Sequence, residues 1–161
     1  MIVRTARIER KTQETDVMAE VNLDGTGRCD VATGVGFLDH MLNLFGAHGS
    51  FDVHISCKGD LHIDAHHSVE DTGICLGQAV TQALGEKRGI ARYGFFYLPM
   101  DEALARIAID LSGRSHFVYR VPSRDGRMGD LPFELVEEFW RSFCAHGKMN
   151  LHIELLYGSN L

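Results

Sequence analysis

Apolar and polar positions alternate at Val17, Ala19, Val21 and Leu23, the period-two pattern of a half-buried strand. The turn dipeptide Asp24-Gly25 closes that run, and another short strand follows through Val31. The opening segment from Val3 to Lys11 reads as a strand as well. From Phe37 to His48 the period changes: Phe37, Leu38, Met41, Leu42, Leu44 and Phe45 form a broad helical stripe that Gly49 ends. Phe51, Val53, Ile55 and Cys57 alternate again, and a helix is expected from about His66 to Gly85. This half is therefore βββαβα, with a natural boundary at Glu86-Lys-Arg-Gly89.

The second half takes the same order. Strands are expected around Phe95 to Pro99, Ala103 to Leu111 and His116 to Val121, then a loop with Asp125-Gly126, then a helix from about Pro132 to Ala145. A last strand carries Met149, Leu151, Ile153 and Leu155 in alternation. The tripeptide Ala47-His48-Gly49 recurs 98 residues later as Ala145-His146-Gly147. At that offset His54 meets His152, Phe45 meets Phe143 and His40 meets Glu138. Agreement of element order and register makes an internal duplication the better reading, with halves at about 1–88 and 89–161 in one compact α+β unit. Each half is expected to be a four-stranded sheet with helices on one face. The last strand runs into Gly158-Ser159-Asn160 and the sequence ends at Leu161, so the counterpart of the first half's second helix is missing. The apolar face it would cover should lie open.

Composition narrows the function. At 161 residues, 45% hydrophobic and 24% charged, the chain is long enough for one well-packed globular domain. A net charge of −6 and the lack of a basic stripe argue against nucleic-acid binding. No run of about 18 apolar residues suggests a membrane span, and the N-terminus lacks the apolar core of a signal peptide. The four cysteines are scattered without a Cys-x-x-Cys pair, which argues against thiolate zinc and points to a reducing cytoplasm.

Nine histidines remain, and two of them stand in Asp64-Ala-His-His-Ser-Val-Glu-Asp71. On a helix His66 and Glu70 share a face, whereas His67 is rotated by about 100° from His66. Adjacent imidazoles pointing apart suggest two metal ions, each taking one ring. The alternative is a solvated helix start, with Asp64 as N-cap and Glu70 and Asp71 suiting the helix's positive end. Zinc-protease spacing fails because Asp71 stands where a histidine is needed, and the zinc-deaminase Pro-Cys-x-x-Cys is absent.

Five motifs in order, Gly36-Phe-Leu-Asp-His-Met41, Asp64-Ala-His-His-Ser-Val-Glu-Asp-Thr-Gly73, Gly85-Glu-Lys-Arg-Gly-Ile90, Leu98-Pro-Met-Asp-Glu102 and Asp110-Leu-Ser-Gly-Arg114, resemble the imidazoleglycerol-phosphate dehydratase family of histidine biosynthesis. The resemblance spans Glu9 to Asn160. It implies a ribosomal protein S5 domain 2-like fold, a hydro-lyase activity converting imidazole glycerol phosphate to imidazole acetol phosphate and water, and two Mn2+ ions held at subunit contacts. By the matching motifs His40 and His67 belong to one ion, and His66, Glu70 and Glu138 to the other; many family members have histidine at the last position. The two ions act as Lewis acids and as a template for the imidazole ring. Glu14 matches an acid/base glutamate that contacts the substrate. Arg92 and Arg114 match positions suited to the phosphate, and His48 lies in a substrate-contacting stretch, as do the motifs holding His40, His66, His67 and Glu70.

His54, His62, His116 and His146 are left as structural or surface residues, and His152, in an apolar strand, as a core or second-layer group. Family members continue into a second His-His-x-x-Glu helix and a lysine-containing phosphate segment. Without these, the 161-residue chain is expected to be inactive and to assemble as a trimer rather than the family's 24-subunit shell of trimers. The competing readings are a non-catalytic, metal-bridged assembly protein and a different di-metal hydrolase. Either way the partners expected are a small phosphorylated imidazole or further copies of the chain, in the cytoplasm, with neither nucleic acid nor membrane.

Overall fold

The computed structural model describes residues 3–159, so Asn160 of the Gly158-Ser159-Asn160 segment lies outside the described residues. The chain forms β1 (Thr5–Lys11), β2 (Thr15–Asn22), β3 (Cys29–Ala32), α1 (Gly36–Gly49), β4 (Asp52–Gly59) and α2 (His66–Leu84). It continues with β5 (Tyr93–Met100), β6 (Ala103–Asp110), β7 (His116–Arg120), β8 (Arg127–Met128), β9 (Leu131–Pro132), α3 (Glu134–Gly147) and β10 (Asn150–Tyr157). Two four-stranded sheets share one topology, β1-β2-β4-β3 and β5-β6-β10-β7. In each, the third strand in sequence runs parallel to the fourth, β3 to β4 and β7 to β10. The strand after Asp24-Gly25 thus does not fold back on β2; it crosses over to the far side of β4.

The repeat is visible element by element. Gly36 and Glu134, the first residues of α1 and α3, are 98 positions apart, as are Asp52 and Asn150, which open β4 and β10. Both helices end on a residue in the left-handed region, Ser50 (φ 57°) and Lys148 (φ 49°), again 98 positions apart. Earlier elements are offset by less: Thr5 and Tyr93, or Thr15 and Ala103, lie 88 positions apart. The difference is the small β8–β9 hairpin, whose two-residue strands carry no readable periodicity. Its Asp130 reaches the other half, accepting the N–H groups of Gly36 (2.5 Å) and Phe37 (2.9 Å) at the start of α1. Val35, the local N-cap position, offers no side-chain acceptor, so the cap of α1 comes from 94 residues away.

The core sits where the alternation puts it. Ala6, Val17, Ala19, Val21, Val53, Ile55 and Cys57 face inward from the first sheet, beneath α2. Helix α2 packs on β1 and β2 and also against α3, and α3 packs on β7. The duplicated phenylalanines meet across the repeat, Phe45 of α1 lying edge-on to Phe143 of α3 at 6.4 Å. Among the described residues no second helix covers the sheet of the second half where α2 covers the first. Phe96 and Leu98 pair directly with Ile107 and Ala105 and share their face, yet are 62% and 55% exposed.

Candidate metal centre

Helix α2 begins one residue after Ala65, and Asp64 accepts the His66 N–H at 2.8 Å, a local cap by an Asx-type bond rather than by the N-cap residue itself. The four-residue spacing then brings His66 Nε2 to 3.6 Å from Glu70 Oε2. Glu138, from the second turn of α3, completes a group in which one ligand atom from each of His66, Glu70 and Glu138 lies within 4.8 Å of the others.

The sequence explains why two helices approach so closely. Gly73 and Gly77 lie one turn apart on the face of α2 that meets α3. A Cβ at Gly73 would stand 2.7 Å from the Phe139 carbonyl oxygen, and one at Gly77 would stand 2.5 Å from that of Phe143. Only hydrogen fits at either position. Thr81 then bonds the Gly147 carbonyl at 2.8 Å, so contacts advance together along both chains and the helices run parallel. Their N-terminal ends therefore meet at the His66–Glu70–Glu138 group.

His67 points elsewhere, its ring centroid 6.1 Å from that of His66 and its plane turned by 70°. Its Nδ1 faces Asp60, 3.0 Å from Oδ2, which fixes the ring and leaves Nε2 as the outward nitrogen. The hydrogen bond that His67 donates to Asp60 raises the imidazole's pKa, and the negative charges of Asp60, Glu14 and Asp64 add to the rise. Glu14 is thus close enough to His67 for its charge to be felt there. It sits in an exposed turn held by Thr12, whose hydroxyl accepts the N–H groups of Glu14 (3.1 Å) and Thr15 (2.9 Å). The Thr15 hydroxyl in turn bonds buried Asp71, which Arg10 also grips at 2.7 Å. Asp71 follows Glu70 directly, so the turn carrying Glu14 is tied to the helix carrying His66 and His67.

The other candidate residues are spread more widely. His40 and His48 lie exposed on α1, His40 beside the Phe37 ring at 6.2 Å, and neither joins the three-residue group. Arg92 grips Asp110 through two nitrogens at 2.7 and 3.2 Å, and Arg114 follows in the turn after β6, both beyond the far end of α2. His146 rests on the Ser142 carbonyl at 3.0 Å, and His54 lies 3.7 Å from Asp30. His116 and His152 lie 6.2 Å apart and are both exposed. The core or second-layer reading of His152 is therefore corrected: with Leu151 buried, alternation turns its neighbour outward.

The chain is a duplicated α+β unit with paired sheets, and the imidazole and carboxylate groups that cluster at the meeting of two helices have the donor set of a candidate metal site. The comparisons give it a family. The imidazoleglycerol-phosphate dehydratase model matches residues 33–161. The chain is 58% identical over 158 residues to the Methylorubrum extorquens imidazoleglycerol-phosphate dehydratase, covering 98% of this chain and 81% of that one. It is 53% identical over 157 residues to the Acetivibrio thermocellus enzyme, covering 98% and 80%. The Staphylococcus aureus enzyme superposes with a TM-score of 0.86 at 35% identity, over 97% of this chain and 86% of that one. The Pyrococcus furiosus enzyme in complex with (S)-C348 gives 0.81 at 32%, over 95% and 81%. The chain belongs to the imidazoleglycerol-phosphate dehydratase family, the dehydratases (hydro-lyases) of histidine biosynthesis. No helix of the described residues is long and apolar enough to cross a membrane.

Proposed function

We propose that His66, Glu70 and Glu138 hold one Mn2+ ion of a two-ion dehydratase centre, that His40 and His67 serve the second, and that imidazole glycerol phosphate becomes imidazole acetol phosphate there. The observation that carries this reading is the convergence of an imidazole and two carboxylates from separate helices within 4.8 Å. Carboxylate oxygens with imidazole nitrogen suit Mn2+, so the donor set fits the ion. When bound, the ions supply Lewis acidity and a template for the substrate's imidazole ring. Glu14, beside His67 on its tethered turn, serves as the acid/base that moves the proton. Arg92 and Arg114 take the phosphate, for which the guanidinium fork is well shaped, and His48 completes the substrate contacts.

The reading also implies assembly. The 19 residues of α2 span about 28 Å at about 1.5 Å per residue, with the metal group at one end and the arginines beyond the other. One small substrate does not reach both within a single chain, which supports a site composed between copies and a homo-oligomer coupled to metal binding. The free thiols Cys29, Cys57, Cys75 and Cys144 favour a cytoplasmic setting. The test is Mn2+ binding, followed by the resonance of the free ion. His66→Ala should weaken it by more than about 10-fold, because even outer partners of a metal site cost roughly 10–100-fold. Unchanged affinity in His66→Ala and Glu138→Ala would refute the assignment.

A further inference from the structure

Asp71, in the second turn of α2, is a buried carboxylate, and both groups that hold it come from the β1–β2 hairpin. Arg10 of β1 donates to Oδ2 at 2.7 Å, and the Thr15 hydroxyl, at the start of β2, donates to the same oxygen. Arg10 and Thr15 flank the turn that carries Glu14, so one side chain of the helix grips both arms of the hairpin. Inside the turn the Thr12 N–H reaches the Thr15 carbonyl at 2.8 Å, and the Thr12 hydroxyl collects the N–H groups of Glu14 and Thr15.

The gripped turn lies beside the residues that orient His67. Thr15 pairs with Gly59 across β2 and β4, and one residue past that pair the chain has Glu14 on one side and Asp60 on the other. Asp60 is the carboxylate that holds His67 Nδ1 at 3.0 Å. A Cβ at Gly59 would lie 3.4 Å from the Thr15 methyl and would overlap Ser68 Oγ, so the start of β2, the end of β4 and the first turn of α2 meet at one point. The second half lacks the arrangement. At the 88-residue offset Glu102 stands for Glu14, yet Leu98, Met100 and Ala103 replace Arg10, Thr12 and Thr15. None of those three side chains can donate to a carboxylate, and Glu102 is engaged instead by the Ser159 hydroxyl at 2.8 Å. Seating α2 on its sheet does not call for such a clamp, because apolar side chains of β1 and β2 already pack there, and a buried carboxylate is costly unless it is paired.

We propose that Asp71 is a positioning residue, whose hold on Arg10 and Thr15 fixes Glu14 beside the Asp60–His67 corner of the site. This rests on the acid/base reading of Glu14 and names the group that keeps that carboxylate in place. An exposed hairpin turn is otherwise among the more mobile parts of a fold. A reacting group misplaced by about 1 Å loses on the order of 100-fold in rate, so a mobile turn is a poor seat for an acid/base.

The test compares Thr15→Val, which removes the hydroxyl with little change of shape, with Thr15→Ser, which keeps it. By 15N relaxation of the intact chain, the Glu14 amide should have an order parameter near about 0.85 in the parent and in Thr15→Ser, and below about 0.6 in Thr15→Val. Asp71→Asn should act in the same direction as Thr15→Val, and Ala19, in the middle of β2, should stay rigid throughout. Paramagnetic relaxation by bound Mn2+ reads the same turn against the site: the Glu14 amide should change in Thr15→Val while that of Gly73, further along α2, does not. A Glu14 amide unchanged by both readouts, with only the melting temperature lowered, would reduce the bond to a structural one and overturn the proposal. So would equal loosening of Glu14 and Ala19. Failure of the dehydratase reading shows separately, as Mn2+ affinity unchanged in His66→Ala with the order parameters behaving as expected.

Discussion

The two sheets have the same strand order and the same register of parallel and antiparallel neighbours, yet one is covered and the other is half bare. In the first, α2 lies over β1 and β2, and Val17, Ala19 and Val21 are almost wholly buried. In the second, no such helix among the described residues covers the matching strands β5 and β6, and β5 presents Phe96, Leu98 and Met100 to solvent. Topology is therefore set by the strands, while burial is set by what the helical layer supplies. The largest test exploits Ile55 and Ile153, matched positions of β4 and β10. Ile55 is 1% exposed, so Ile55→Ala should cost about 2–5 kcal/mol in urea unfolding. Ile153→Ala should cost clearly less, and Phe95→Ala, at 78% exposure, no more than about 0.5 kcal/mol. Equal costs at Ile55 and Ile153 would mean that the second sheet is as well covered as the first.

A smaller effect sharpens the same contrast at the helix that does the covering. Gly77→Ala places a methyl 2.5 Å from one backbone atom of α3 and 2.9 Å from another, Phe143 O and Gly147 N. Overpacking of that kind costs roughly 1–3 kcal/mol, offset by up to about 1 kcal/mol of helix propensity. A net loss of about 1–2 kcal/mol is expected, together with weaker Mn2+ binding, because the same separation positions Glu138 against His66 and Glu70. A stabilised variant with unchanged metal affinity would show that the close approach is dispensable.

The smallest expected effect compares Asp52 with its counterpart Asn150. The Asp52 carboxylate accepts the N–H groups of Thr26 (2.8 Å) and Arg28 (3.0 Å), and those backbone bonds, with the Arg28 side chain, hold its pKa well below the carboxylate range. A lowered folded pKa gives stabilisation that is present above about pH 4 and is lost as pH falls through the folded value. Asn150 performs the matching task by donating to Ser112 and Arg114, and an amide does not titrate in that range. Amide shifts of Thr26 and Arg28 should therefore move in acid while those of Ser112 and Arg114 stay. Asp52→Asn should abolish the difference.

Much of this was legible in the residues. The periods located both helices of the first half and the repeat's third, within about two residues, and the 98-residue offset paired His40 with Glu138. His66 and Glu70 followed from helical spacing alone. The parts that were hidden are long-range or short. The parallel seating of β3 beside β4 is a choice of neighbour, and alternation is silent about neighbours. The β8–β9 hairpin has strands of two residues each. Asp60 orients His67 from a turn seven residues upstream, and Gly73 and Gly77 read simply as tolerated helix glycines until the second helix is in view. His152 is different: the alternation that buries Leu151 already turned it outward, so that signal was present in the sequence.

Asp130 gives the duplication a direction in time. Two copies of a repeat begin interchangeable, and either could in principle stand for the other. The hairpin is the part that the second half carries and the first lacks, and its carboxylate has become the terminus of a helix in the first half. A first half separated at the boundary would lose that cap, worth about 0.5–2 kcal/mol, along with the partner that Gly73 and Gly77 were shaped to meet. The halves have divided their labour in a way that no longer reverses: what was once a copy is now a component.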